Sequence, residues 1–147
     1  MVVQADRVAV MISPQTVTNA GTLVGFVDTQ GYDFASILLV ASTTNDSTNN
    51  PTILKINEHD TATDATSMTA ITALTGDGAS GFTVAAWSTS VDNSTKFDID
   101  LRGRLRYLGI VVSPLTSHTM SCVARLSRGD ELPINTTRAN VANLVTA

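Results

Sequence analysis

The stretch Lys96-Phe97-Asp98-Ile99-Asp100-Leu101-Arg102-Gly103-Arg104-Leu105-Arg106-Tyr107-Leu108-Gly109-Ile110-Val111-Val112 decides the fold class. Phe97, Ile99 and Leu101 alternate with Asp98 and Asp100, the period-2 pattern of a strand with one dry face. Arg102-Gly103-Arg104 interrupts it, and glycine inside such a run marks a bulge or a break. Leu105 to Val112 then reads as a second strand, stopped at Ser113-Pro114.

Working outward, the same grammar repeats. Residues 7–13 form a β-prone run ended by Pro14. Leu23 to Val27 and Tyr32 to Ser42 read as strands. Asp28-Thr29-Gln30-Gly31 is the turn between them, with Gly31 where a positive φ is expected, so the pair reads as a hairpin. Residues 43–51 (TTNDSTNNP) are a polar loop dense in turn formers, and Thr52 to Glu58 alternates again. In residues 68–75, Met68, Ile71 and Leu74 fit a short helix that Asp64 could cap, whereas Thr69, Thr72 and Thr75 favour the extended form; a short strand is the reading taken. Phe82 to Ser88 is expected as a strand carrying the sole tryptophan, Trp87, and Thr119 to Leu126 as the last strand. About eight short strands with turns every 8–15 residues and no long helical pattern predict an all-β, antiparallel sandwich, jelly-roll-like. Residues 1–13 form an N-terminal arm or first strand, 14–128 the sandwich domain and 129–147 an extended tail.

Composition narrows function by exclusion. The 147 residues suit one domain, with 43% hydrophobic but only 15% charged residues, against about 25% charged in an average protein. A surface of hydroxyls and amides costs less to desolvate against a partner than one of ammonium groups. The net charge of −4 and the absence of a basic stripe argue against nucleic acid as a partner. The basic cluster Arg102, Arg104 and Arg106 lies close to Asp98 and Asp100, and strand ion pairs explain it. No basic segment followed by an apolar run opens the chain, so no secretory signal is expected, and no run approaches the ~18 apolar residues of a membrane helix.

Candidate chemistry thins out in the same way. The one cysteine, Cys122, reads as a buried thiol. His118 shares its strand parity but stands roughly 13 Å away along an extended strand, too far for a nucleophile and its base. His59, Asp60 and Asp64 have no metal-ligand spacing. Gly76-Asp77-Gly78 is too short to cradle phosphate and opens no helix. Asp98 and Asp100 lie about 7 Å apart on one strand face, but Arg102 follows on the same parity and favours ion pairing. No catalytic residue, cofactor or metal is therefore assigned, and an enzyme is the least favoured class.

Two segments carry more apolar surface than a sandwich strand needs. Ile37-Leu38-Leu39-Val40-Ala41 and Leu108-Gly109-Ile110-Val111-Val112 are apolar on both parities. One parity fills the core. The other is covered by a loop of the same chain or by a neighbouring subunit. The tail, with sparse Leu132, Ile134, Val141, Leu144 and Val145, cannot form a core, so both ends are expected to lie against neighbouring chains or the domain surface.

The run Asp100-Leu101-Arg102-Gly103-Arg104-Leu105-Arg106-Tyr107-Leu108 also carries a likeness. Together with Ser13-Pro14-Gln15-Thr16-Val17-Thr18-Asn19-Ala20 and Val27-Asp28-Thr29-Gln30-Gly31-Tyr32-Asp33-Phe34-Ala35, it resembles small head-associated structural proteins of tailed bacteriophages, including capsid decoration (cement) proteins. The resemblance spans roughly residues 12–130 and leaves the tail uncovered. It implies a β-sandwich, with a trimer as the favoured oligomer, that clamps capsomers on the shell and binds the major capsid protein. It also implies synthesis in the host bacterial cytoplasm and residence on the virion. Leu38, Val40, Ile110 and Val112 would then face a neighbour, the Arg102-Gly103-Arg104 turn would offer donors to acidic capsid residues, and the tail would reach across the shell. A rival is a head-fibre base or tail-associated adhesin module on the same sandwich, which predicts an exposed aromatic pair or an exposed Trp87 beside a carboxylate.

Overall fold

The alternating segments become strands that pair as the arms of one long ribbon. The computed structural model describes residues 6–18, 21–43 and 50–129. Its strands are β1 (Arg7–Val17), β2 (Leu23–Asp28), β3 (Tyr32–Ala41), β4 (Ile53–His59), β5 (Thr69–Thr75), β6 (Asn93–Asp100), β7 (Tyr107–Ser113) and β8 (His118–Gly129). β1 pairs with β8, β2 with β7, β3 with β6 and β4 with β5, all antiparallel. Rolling this ribbon brings β8 against β3 and β7 against β4. Two four-stranded sheets result, a first sheet in the order β1-β8-β3-β6 and a second in the order β2-β7-β4-β5. This is the eight-stranded jelly roll that the sequence pattern predicts.

The core lies between the sheets and takes one parity of each inner strand. Ala35, Ile37, Leu39 and Ala41 of β3 and Met120, Cys122, Ala124 and Leu126 of β8 face Leu54, Ile56, Leu108, Ile110 and Val112 of the second sheet, all buried. Each large apolar side chain here contributes about 1.5–3 kcal/mol by leaving water. Phe82 packs edge-on against Phe97 at 5.6 Å between ring centroids, closing one side of the core.

Several local expectations are corrected by long-range pairing. The Leu23–Ser42 hairpin does not form, because β2 belongs to the second sheet and β3 to the first, so the turn at Thr29–Gly31 crosses between sheets. Gly31 does take a positive φ of 83°. Thr29 donates its N–H and its hydroxyl to the Arg106 carbonyl, at 2.9 and 2.6 Å, which ties the crossing to the start of β7. Turn chemistry alone cannot tell a hairpin from such a crossing. Pro14 does not end β1. It sits on an edge strand inside a register shift between Ile12 and Gln15, a place where a missing N–H breaks no ladder.

Residues 82–88 are irregular rather than a strand. Here asparagine side chains take backbone donors, Trp87 N–H giving to Asn50 Oδ1 and Ser88 N–H to Asn93 Oδ1. At 64–75 both readings are partly realised. Asp64 caps a single 3-10 turn, Ala65–Ser67, and β5 follows as a strand. Residues 130–147, with Leu132, Ile134, Val141, Leu144 and Val145, lie outside the described residues, as do residues 1–5.

Candidate interaction surface

The two doubly apolar strands have different fates. In β7, Ile110 and Val112 point into the core and are fully buried, so neither faces a neighbour. The other parity is sealed by the chain itself. Val111 is 3% exposed and clusters with Ala65 and Met68 of the loop leading into β5. Gly109 makes room for that loop, since a Cβ there would stand 2.7 Å from Ala65 Cβ and 2.8 Å from Met68 Sδ. Asn57 Nδ2 donates to the Ala65 carbonyl at 2.7 Å and pins it. The apolar excess of β7 thus belongs to a three-layer packing within one chain, and the expectation of a lateral contact at Ile110 and Val112 is wrong.

β3 keeps its excess. Ile37 and Leu39 fill the core, but Leu38 and Val40 stand 42% and 37% exposed on the outer face of the first sheet. Register places Leu38 opposite Val123 of β8, and Val123 opposite Val10 of β1, which is 60% exposed. An apolar row therefore runs Val10–Val123–Leu38 across three strands. Val8 and Val40 extend it along β1 and β3. A shallow hollow of about 320 Å³ lies beside the row, lined by Val8, Ser36, Leu38, Lys96, Val123 and Arg125. Val8, Val10 and Val123 escape single-strand periodicity because each looks like an ordinary strand residue; only the cross-strand register gathers them.

The rim is polar and internally paired. Lys96 Nζ meets Asp98 at 2.8 Å, and the Ser36 hydroxyl donates to the same carboxylate at 2.8 Å. These bonds, the lysine's first, hold the Asp98 carboxyl below its ordinary range. Arg125 pairs with Asp6 on the opposite side. Such exposed pairs contribute little stability but leave no bare charge around the row.

The Arg102-Gly103-Arg104 turn is formed as expected, with Gly103 at φ 82°. Its donors are already engaged. Arg102 grips Asp100 at 2.5 Å and holds that carboxyl at about 2, and Arg104 meets Glu58 at 3.3 Å. Cys122 is buried, and burial pushes its thiol up to about 12, so it is no nucleophile. His118 is 2% exposed and packs edge-on against Trp87 at 4.9 Å. Trp87 itself is 5% exposed and offers no face to a ligand. Among the described residues no three His, Cys, Asp or Glu side chains gather as metal ligands, and no helix is long and apolar enough to cross a membrane.

The second sheet carries a smaller feature that the sequence reading missed. Phe26, 44% exposed, stands edge-to-face with Tyr107 at 6.1 Å, and the Arg106 guanidinium sits 5.0 Å from the Tyr107 ring centroid. Arg106 is fixed by Asp28 at 2.7 Å.

No family model matches the chain, and no curated protein matches it in sequence. Among solved structures, a chain of the "Structure of infectious bursal disease virus Gx strain" aligns with 92% of this chain at a TM-score of 0.52 and 12% identity. The match covers 34% of that longer chain. At this identity the likeness is one of fold: the β-sandwich found here also occurs within a chain of a virus structure.

Proposed function

We propose that this chain is a structural part of a virus particle, one that binds the outer capsid surface and stabilises the shell through apolar lateral contacts and extended termini. The observation that carries this reading is the row Val10–Val123–Leu38, with Val40 beside it, left partly exposed among the described residues on a sandwich whose other apolar excess is sealed internally. The fold shared with a chain of a virus structure and the likeness of residues 12–130 to head-associated phage proteins support it. In this role the partners are the major capsid protein and further copies of the chain, a trimer being the favoured oligomer. The chain is made in the host bacterial cytoplasm and carried on the virion surface. The role needs no catalysis, cofactor, nucleic acid or membrane.

Energetics fit a surface contact. Fully covering a Leu, Ile or Val contributes about 1.5–3 kcal/mol, so finishing the burial of several half-covered side chains gives a few kcal/mol, to which a charge-poor surface adds little desolvation cost. The test is quantitative mass spectrometry of purified particles encoding this chain. Many copies per particle are expected, reduced several-fold by Leu38→Asp with Val40→Asp. Absence from purified particles would overturn the reading.

Phe26 and Tyr107 favour a second reading, a fibre- or tail-associated module that binds host sugar, since exposed aromatic rings suit the apolar faces of sugars. Loss of glycan binding on Phe26→Ala, with particle incorporation intact, would select it.

A further inference from the structure

β6 is an edge of the first sheet, and the register assigns its open backbone groups. Leu101 N–H donates to the Asp33 carbonyl at 2.9 Å, and the pairs Ala35↔Ile99, Ile37↔Phe97 and Leu39↔Thr95 follow at two-residue steps. Hydrogen bonds in an antiparallel ladder come at alternate pairs, so Thr95, Phe97 and Ile99 turn their N–H and C=O groups towards β3. Ser94, Lys96 and Asp98 turn theirs away from the sheet. Among the described residues no backbone group pairs with them on that side.

Residues 82–88 return beside that edge without joining it. Phe82 packs against Phe97 at one end. At the other, Asn93 accepts the Ser88 N–H on Oδ1 and donates to the Ser88 carbonyl from Nδ2. The segment therefore runs antiparallel to β6. It begins with the alternation of a strand, Phe82 and Val84 packed on the core and Thr83 and Ala85 exposed. Yet among the described residues Thr83, Val84, Ala85 and Ala86 make no hydrogen bond to other backbone. A hollow of about 300 Å³ is lined by residues 82–87 on one side and 93–96 on the other. A strand-prone segment thus faces a strand edge, with unused ladder groups on both and a gap between them.

We infer that this gap is a strand-addition site, which receives one extended segment of another protein between Ser94 and Lys96 of β6 and residues 83–86. Ser94 and Lys96 present N–H and C=O groups about 7 Å apart along the edge, the repeat of another extended backbone. The occupant is neutral, because Lys96 is the one ionisable residue of the lining and is already paired with Asp98 at 2.8 Å. It is also a lone arm. A second sandwich cannot bring its own sheet edge against β6 while residues 82–87 line the opposite side of the gap, whereas a single strand can enter. The inference goes beyond the proposed virion role and gives the form of one partner contact.

The test uses the full-length chain and a displayed library of random octapeptides, with the enriched sequence then made as a free, capped peptide. In the chain alone, the Ser94 and Lys96 amides are expected to exchange freely while those of Thr95 and Phe97 are protected. The peptide should protect Ser94 and Lys96. Ser94→Pro should weaken its binding by about tenfold or more, because proline removes a ladder donor and sets its ring against the arriving strand. The unfolding midpoint should hold, since that donor does not serve β3. N-methylation of either alternate set of peptide amides should also abolish binding, a readout that stands even if Ser94→Pro fails to fold. Three results would overturn the inference. They are Ser94 and Lys96 amides already as protected as Thr95 in the chain alone, a library from which no octapeptide is enriched, or an enriched peptide that leaves both amides exchanging freely. No particle enters the test, so failure here and failure of the virion role are read separately.

Discussion

Leu38 of β3 stands directly opposite Val123 of β8 on the outer face of the first sheet, and Leu38 is 42% exposed while its chain neighbours Ile37 and Leu39 are sealed in the core. Leu38 should therefore be dispensable for folding. Leu38→Ser is expected to change unfolding free energy by no more than about 0.5 kcal/mol. Chemical denaturation checks it, and a large loss of stability would mean that the side chain is covered within its own molecule.

Ile110 makes the contrast. It lies between the sheets and is fully buried. Ile110→Ala should cost about 2–5 kcal/mol, through lost transfer energy and the cavity left behind. The same denaturation series measures both substitutions, and the difference between them separates core from surface on two equally apolar strands.

The loop over the second sheet depends on a missing side chain. Gly109→Val would drive new atoms into Ala65 and Met68, since even a Cβ at this position would stand within 3 Å of both. A loss of about 1–3 kcal/mol is expected, with faster amide exchange at residues 65–68. Unchanged exchange there would show that the loop is not held by Gly109.

Acid should act through carboxylates held low. Asp77 accepts N–H bonds from Gly81, Ala79 and Ser80 and titrates at about 2, and Asp100 does so at about 2 because of Arg102. Hydrogen bonds from the Arg106 guanidinium lower Asp28 as well. Groups with a depressed folded pKa give stability that is complete above the unfolded value near 3.8 and is lost as pH falls towards 2. The melting temperature should be flat from about pH 7 to 5 and fall below about 4. Asp77→Asn should start lower and flatten that fall. An undiminished acid slope in this variant would contradict the role given to Asp77.

The fold was legible because alternation is local. Phe97, Ile99 and Leu101 mark a half-buried strand wherever that strand ends up, and Cys122 reads as a buried thiol from its apolar neighbours. Sheet membership was not legible. Gly31 serves a crossing as well as a hairpin, and Pro14 survives because β1 is an edge, which only the assembled order reveals. Of the proposed contact residues, Leu38 and Val40 emerge on the surface, whereas Ile110 and Val112 do not. β3 and β7 carry the same kind of apolar run; what differs is a loop about twenty-five residues from one and about forty from the other. Gly109 was the available signal, since a glycine inside a strand marks the close approach of other backbone. The placing of Phe26 beside Tyr107 needed the β2–β7 register and had no local sign.

The most direct measurement is the number of copies bound to particles first depleted of this chain and then mixed with the full-length protein or with Leu38→Asp. The wild-type chain should rebind to saturation, and the variant, folded and equally stable, should rebind at least tenfold more weakly. Equal binding by the two would remove the outer face of the first sheet from the contact and contradict the account.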